Sequence, residues 1–238
     1  MKKEKTPQYY YEWYRKSLLA KMASVLGPCY FFGEEIPQET KFIVSNHLHF
    51  FDPIFLILHF DKYTKFVAKK ETKKIPIIST VFDRIDSIYI DREKEGGDLN
   101  AVRGILRAVK NGDDIVIFPE GTRNKTGTTN LQPLKEGTAL FALKTGAMVL
   151  PIMIYKKHKL FRRNYLYVGK PFDFKEYAGQ KAETSLLNEA TNILYNKMLQ
   201  AKTFMDEYMA NDGAKKLKKL YKEQCKEKKI KNFVIKID

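Results

Sequence analysis

Phe42-Ile43-Val44-Ser45-Asn46-His47-Leu48-His49-Phe50-Phe51-Asp52-Pro53 decides how the rest of the chain is read. Phe42 to Ser45 has the length and apolar character of a buried strand. Polar Asn46 and His47 end it, and Pro53 suits the first turn of a following helix. A strand passing through a loop into a helix is half of an α/β unit, and such sheets bind ligands in the loops beyond their strands' carboxyl ends. His47 falls in that loop. Proline disfavours helical geometry at the residue before it, which makes Asp52 the expected N-cap. In a continuous helix, a five-residue separation would turn His47 and Asp52 about 140° apart, but a loop folded onto a helix start lets them meet. Asp52 would then hold one imidazole nitrogen and leave the other to take a proton. The plainer reading of these residues is a helix cap beside a polar loop histidine.

The alternation continues outward from this stretch. Lys65 to Ala68 and Ser87 to Ile90 read as strands, with a helix from Lys74 to Phe82 whose first turn takes Pro76. Asp98 caps a helix running to Asn111 and stopped by Gly112, with Ala101, Ile105, Ala108 and Val109 as its apolar stripe. Asp114 to Phe118 is a strand, Glu136 to Lys144 a helix closed by Gly146, and Val149 to Tyr155 another strand. The expected fold is α/β, a single domain over residues 33–205 with a central mixed sheet flanked by helices.

Residues 1–32 read as an amphipathic helical segment, with Tyr10, Trp13, Tyr14, Leu18, Met22 and Leu26 near helical spacing and Lys16 and Lys21 among them. Such a helix either lies in a membrane interface or packs on the domain's own sheet. Residues 206–238 read as a basic helical tail, including Lys215, Lys216, Lys218 and Lys219, that either meets anionic headgroups or is simply solvated.

Composition narrows the partners. With 44% hydrophobic residues, 14 Tyr and 16 Phe in 238 residues, the chain is not of the disordered class. A net charge of +15 suits nucleic acid, an anionic membrane, or no more than a soluble surface. No nucleic-acid-binding motif occurs, so no nucleic-acid partner is expected. Cys29 and Cys225 lie too far apart for a disulfide framework, and neither they nor the four histidines have metal-site spacing, so no metal is expected. The longest apolar stretch, Ala139 to Tyr155, is interrupted by Lys144, Gly146 and Pro151, and the opening residues lack a signal-peptide core. The expectation is a peripheral or monotopic protein at the cytoplasmic face of a membrane, without a transmembrane helix.

Three further segments carry chemical groups. Phe118-Pro119-Glu120-Gly121-Thr122-Arg123 follows a strand and supplies a carboxylate, a hydroxyl and a guanidinium within four positions of a tight turn. Arginine's planar fork suits a phosphate. Ile88-Tyr89-Ile90-Asp91-Arg92 is another strand ending in arginine, which could equally be a surface ion pair. Val149-Leu150-Pro151-Ile152 reads as a buried strand without chemistry of its own.

Taken in order from about Phe32 to Ile154, these four segments resemble the glycerolipid acyltransferase family of the lysophosphatidic acid acyltransferase type. That family carries Asn-His, four residues and Asp, then an Ile-Asp-Arg strand end, Phe-Pro-Glu-Gly-Thr-Arg, and an apolar Val-Pro strand. The resemblance implies His47 as general base and Asp52 as its orienting partner. It implies Arg92, Glu120, Gly121, Thr122 and Arg123 around a phosphate-bearing acceptor, with Lys135 as a further basic residue. One departure is Asp86, where the family's second block opens with glycine; a carboxylate facing a phosphate would be unfavourable.

The implied reaction is direct transfer of a fatty acyl group from acyl-CoA or acyl carrier protein, as co-substrate, to the free hydroxyl of a lysophospholipid. With 1-acyl-sn-glycerol-3-phosphate as acceptor the product is phosphatidic acid. No cofactor is implied, and no Gly-x-Ser-x-Gly elbow occurs to suggest an acyl-enzyme. The implied partners are an anionic membrane surface, the lysophospholipid and the donor. The alternatives are another lysolipid acceptor, a thioester hydrolase, and a non-enzymatic basic binding module.

Overall fold

In the computed structural model, residues 5–17, 28–60, 62–91, 98–159, 161–177, 180–228 and 234–237 are described. Their strands are β1 (Cys29–Gly33), β2 (Lys41–Ser45), β3 (Thr64–Lys69), β4 (Ile88–Ile90), β5 (Asp114–Ile117), β6 (Met148–Ile154), β7 (Asn164–Val168) and β8 (Val234–Ile235). They form one mixed sheet in the order β4-β3-β5-β2-β6-β7-β1-β8. Every neighbouring pair is parallel except β6 with β7. Five strands, β4 through β6, therefore point one way and place their carboxyl ends on one edge.

The helices are α1 (Pro7–Lys16), α2 (Asp52–His59), α3 (Pro76–Arg84), α4 (Leu99–Lys110), α5 (Glu136–Thr145), α6 (Thr184–Tyr208) and α7 (Ala214–Lys228). Every residue of β2 and β5 is buried, as expected for parallel strands covered on both faces. Because strand side chains alternate, Phe42, Val44, Ile115 and Ile117 enter one core with Ile105, Ala142, Leu194 and Met198. Ile43 and Val116 enter the opposite core with Tyr11, Leu56, Phe66, Ile78 and Phe82. Thus α4, α5 and α6 cover one face, and α1, α2 and α3 the other.

Local signals act where the residues dictate. Asp98 caps α4 by accepting from the amides of Asn100 and Ala101, and Gly146 closes α5 in the left-handed conformation. Pro151 is tolerated inside the sheet because of its register. Its carbonyl accepts from Gly169 N beyond the end of β7, so its missing N–H faces the same unladdered side.

Several sequence expectations change. Cys29 to Phe32, read as the end of a helical segment, is strand β1, paired with β7 across Cys29–Asn164 to Gly33–Val168. Of the aromatic stripe, Leu18, Lys21, Met22 and Leu26 lie outside the described residues. The part described, α1, packs on the domain through Tyr11, which is fully buried and donates to the Phe60 carbonyl at 3.4 Å, while Tyr9 and Trp13 are exposed. Strand β7 and helix α6 were not read from the sequence. The latter runs without interruption past residue 205, burying Ala190, Leu194, Met198, Ala201 and Met205 on one stripe. The lysine-rich stretch from Ala214 is helical, as expected.

Asp86 is also relocated. It adopts φ 51°, the left-handed conformation that glycine adopts without strain, and pairs with Lys65. It stands before β4, at the sheet edge opposite the strand carboxyl ends, so its carboxylate does not face the site described next.

Candidate active site

The loop 46–51 leaves β2 between β5 and β6, and its first residue anchors it. The buried Asn46 side chain donates to Ile154 O at 3.0 Å and accepts from Ile154 N at 2.7 Å. It thereby continues the β2–β6 pairing for one more residue and fixes where His47 begins. The His47 backbone is then held on both sides. Its N–H donates to Glu120 Oε1 at 2.9 Å, and its carbonyl accepts from Asn124 N at 2.7 Å.

Asp52 is fully buried, and its Oδ2 lies 2.9 Å from His47 Nδ1. The same oxygen accepts from Leu48 N and His49 N, each at 2.7 Å. The expected N-cap role is therefore corrected: α2 starts at Asp52 itself, and the carboxylate turns back into the loop rather than down the helix. Pro53 has no N–H to offer it, whereas two loop amides and the imidazole do. A carboxylate on Nδ1 makes that nitrogen the protonated one and leaves Nε2 with the lone pair. The His47 ring also stacks on Phe118, with centroids 4.3 Å apart.

A second histidine, not singled out in the sequence, reaches the other carboxylate oxygen. His158 is buried, with Nε2 3.4 Å from Asp52 Oδ1 and its ring stacked on Phe55 at 4.0 Å. It follows β6 just as His47 follows β2, so its position after a parallel strand was the available signal.

Glu120 is brought to the site, but not to its surface. It is buried, and its two oxygens accept from His47 N and, at 3.2 Å, Gln132 N. Burial pushes its carboxyl up to about 7 against those two bonds, and the charge of Asp52 adds to the rise. The contacts of Glu120 tie the loop after β5 to the loop of His47. Gly121 takes φ 73° in the turn closed by its N–H to Phe118 O.

His47 opens onto a cleft of about 270 Å³. Gly121, Thr122 and Arg123 line it, as do apolar Phe66, Ile78 and Phe82 and basic Lys69. The Arg123 guanidinium lies over the Phe50 ring, 5.4 Å from its centroid. Lys135 is not among the lining residues; its side chain is exposed at the start of α5, and its N–H binds Pro119 O at 2.8 Å. Arg92 lies outside the described residues. The end of β4 adjoins the cleft, since Ile90 pairs with the cleft residue Lys69, and Asp91 after it binds Lys70 at 2.9 Å. Among the described residues no group of three or more His, Cys, Asp or Glu is arranged to hold a metal, and no helix is long and apolar enough to cross a membrane.

Known proteins resemble this chain in sequence and in fold. The family model described as Acyltransferase matches residues 30–155, which contain all four motif segments. A 1-acyl-sn-glycerol-3-phosphate acyltransferase of Borreliella burgdorferi is 31% identical over 136 residues, 57% of this chain and 54% of that protein. One of Helicobacter pylori is 32% identical over 122 residues, 51% of each chain. The matched region thus spans about half the length of these curated relatives. The crystal structure of the 1-acyl-sn-glycerophosphate acyltransferase PlsC from Thermotoga maritima is similar in fold, with a TM-score of 0.61 at 24% identity over 86% of this chain and 81% of that one. The chain belongs to the acyltransferase family.

Proposed function

We propose that the protein transfers a fatty acyl group from acyl-CoA or acyl carrier protein to the free hydroxyl of a lysophospholipid, with 1-acyl-sn-glycerol-3-phosphate as acceptor and phosphatidic acid as product. The observation that carries this reading is the 2.9 Å His47–Asp52 contact beside a cleft lined by apolar Phe66, Ile78 and Phe82 and by Lys69, Arg123 and Lys125, with Glu71 among them. The relatives' names agree with it.

His47 Nε2 takes the acceptor hydroxyl's proton as that oxygen attacks the thioester carbonyl. The tetrahedral adduct collapses by breaking the carbon–sulfur bond, and the departing thiolate receives the proton from His47. The products are an ester and a free thiol. Asp52 keeps Nδ1 protonated and stabilises the imidazolium formed between these steps. Arg123, whose guanidinium carbon lies 5.4 Å from the Phe50 ring centroid, can turn its fork to the acceptor phosphate, with Thr122 and Gly121 beside it. Phe66, Ile78 and Phe82 receive alkyl chain. No acyl-enzyme is required: burial and the charge of Asp52 push the Cys29 thiol up, away from the thiolate a nucleophile needs.

The membrane surface that presents the acceptor meets the edge carrying His47. On the loop after β6 that reaches this edge, Phe161 is 78% exposed, with Lys156, Lys157, Lys159, Arg162 and Arg163 exposed around it in sequence. An aromatic among cations suits an anionic interface.

The test is free-thiol release from an acyl-CoA, with and without lysophosphatidic acid, by wild type and His47→Ala. Acceptor-dependent release with diacyl product, lost in the variant, is expected. Release of free fatty acid without acceptor would replace the transferase with a hydrolase.

A further inference from the structure

The buried carboxylate beside His47 has two oxygens, and the reaction above uses one of them. Asp52 Oδ2 meets His47 Nδ1 and accepts from the amides of Leu48 and His49. Oδ1 is equally shut off from solvent and accepts no hydrogen bond of ordinary geometry among the described residues. The nitrogen that faces it is His158 Nε2, at 3.4 Å. Other side chains sense the Asp52 charge, but Cys29 and Glu120 are themselves acids, and His49 meets the carboxylate through its backbone N–H.

His158 is held in this place by its surroundings. Its ring stacks on Phe55, with centroids 4.0 Å apart and planes 22° from parallel. Phe55 stands three residues beyond Asp52 on α2, so one helix face presents both the carboxylate and the platform for the ring. The loop carrying His158 is pinned at each end. Tyr155 N donates to Tyr165 O at 3.1 Å, and the buried Asn164 side chain accepts from Lys159 N at 3.0 Å and donates to Lys159 O at 3.2 Å. Along this loop Lys156, Lys157 and Lys159 are exposed, whereas the His158 side chain is 1% exposed. A histidine serving only solubility would face outward with those lysines.

We infer that His158 is a positioning residue for the proton transfer at His47, acting through Asp52. Neutral or protonated, an imidazole nitrogen facing an ionised carboxylate carries its proton. Aimed at Oδ1, that proton keeps the buried carboxyl ionised and opposes its rotation, so Oδ2 stays on His47 Nδ1. A carboxyl without this donor takes up a proton from solvent more readily. Protonated Asp52 would donate to Nδ1, and the imidazole's own proton would then sit on Nε2, the nitrogen that must accept one from the acceptor hydroxyl. The reaction served rests on the acyltransferase reading above; the coupling of two histidines through one carboxylate does not.

The experiment compares wild type with His158→Phe, which keeps a ring on Phe55 without an N–H, and His158→Gln, whose amide N–H can stand near the Nε2 position. Thermal unfolding checks that the variants fold. Acyl transfer to lysophosphatidic acid gives kcat and KM. Long-range 1H–15N correlation spectra of the ligand-free proteins at neutral pH give the His47 tautomer, assigned against His47→Ala. His158→Phe should lower kcat roughly tenfold to a hundredfold, leave KM within about threefold, and move the His47 proton towards Nε2. His158→Gln should keep kcat within about fivefold of wild type and the proton on Nδ1. Wild-type kcat and tautomer in His158→Phe would make His158 a packing residue and overturn the role, as would equal impairment in His158→Gln. If His158→Phe does not fold, His158→Met, matched to glutamine in length, is judged by the same criteria; a His158→Gln protein that does not fold would assign His158 to the core alone. A tautomer that depends on His158 in a protein without acyl transfer would keep the coupling and remove the acyltransferase reading. Acyl transfer with kcat and tautomer indifferent to His158→Phe would do the reverse.

Discussion

Replacing Glu120 with glutamine should change stability by an amount that depends on pH in a specified direction. Both carboxylate oxygens accept from backbone amides, His47 N at 2.9 Å and Gln132 N at 3.2 Å. Glutamine has one acceptor, so one N–H would face its NH₂ group, at a cost of about 1.5–3 kcal/mol for a bond to a charged group. Against this, the folded protein holds the Glu120 carboxyl at about 7, compared with 4.5 in its ordinary state. At 1.36 kcal/mol per pKa unit, the native state favours the protonated form by about 3 kcal/mol. The folded state therefore binds the proton more tightly, so this stabilisation is fully present below pH 4.5 and is lost as pH rises through about 7. Glutamine does not titrate. The stability of wild type relative to Glu120→Gln should thus be greatest below pH 4.5 and shrink by about 3 kcal/mol by pH 8. Urea unfolding of both proteins across that range measures the difference. A gap that is constant, or that widens with pH, would refute the account of Glu120 as a buried carboxylate held at a desolvation cost between two loops.

Other substitutions probe separate parts of the molecule. Asp52→Asn should lower kcat roughly 10²–10⁴-fold in the thiol-release assay by releasing the His47 tautomer; a loss under tenfold would deny Asp52 its orienting role. Asp114 is buried and binds both Lys41, at 2.7 Å, and Lys62, at 2.8 Å. Asp114→Ala should cost about 3–5 kcal/mol, and more than Lys41→Met, because it alone strands a buried cation; equal costs in urea unfolding would contradict this. Gly33 has φ 114°, and a Cβ there would lie 2.3 Å from Val168 O, so Gly33→Ala should lose roughly 3 kcal/mol or more, seen as a lower Tm. Phe161→Ser should weaken sedimentation with anionic vesicles roughly tenfold while leaving Tm in place; unchanged partition would remove Phe161 from the membrane contact.

The α/β class was legible from near neighbours, which also allowed the meeting of His47 with Asp52 beside the plainer helix-cap reading, while the family resemblance implied the pair. Strand, loop and Pro53 lie within a dozen residues, and parallel strands then carry the other motif segments to the same edge. What escaped reading depends on distant partners. Asn46 is explained by Ile154, 108 residues on, and Glu120 by the amide of His47, 73 residues back. Local pattern shows a carboxylate in a turn but not that the turn is covered, and it was the resemblance, not the pattern, that set Glu120 beside an acceptor. The aromatic spacing that suggested helix through Phe32 gave way to the sheet, since β7 offers Cys29 to Gly33 a partner strand. His158 and Lys157 stand in a loop whose nearness to His47 follows only from β6 lying beside β2.

The reversal of direction between β6 and β7 has a practical bearing on how the protein is handled. Since β7, β1 and β8 run opposite to the other five, β1 begins at the edge where β2 ends, and β8 finishes at the far one. Cargo inserted directly before Cys29, between α1 and β1, would enter at the rim of the cleft and crowd the membrane contact proposed for that side. A purification handle or surface tether placed after β8 departs from the opposite rim and leaves the working side unobstructed.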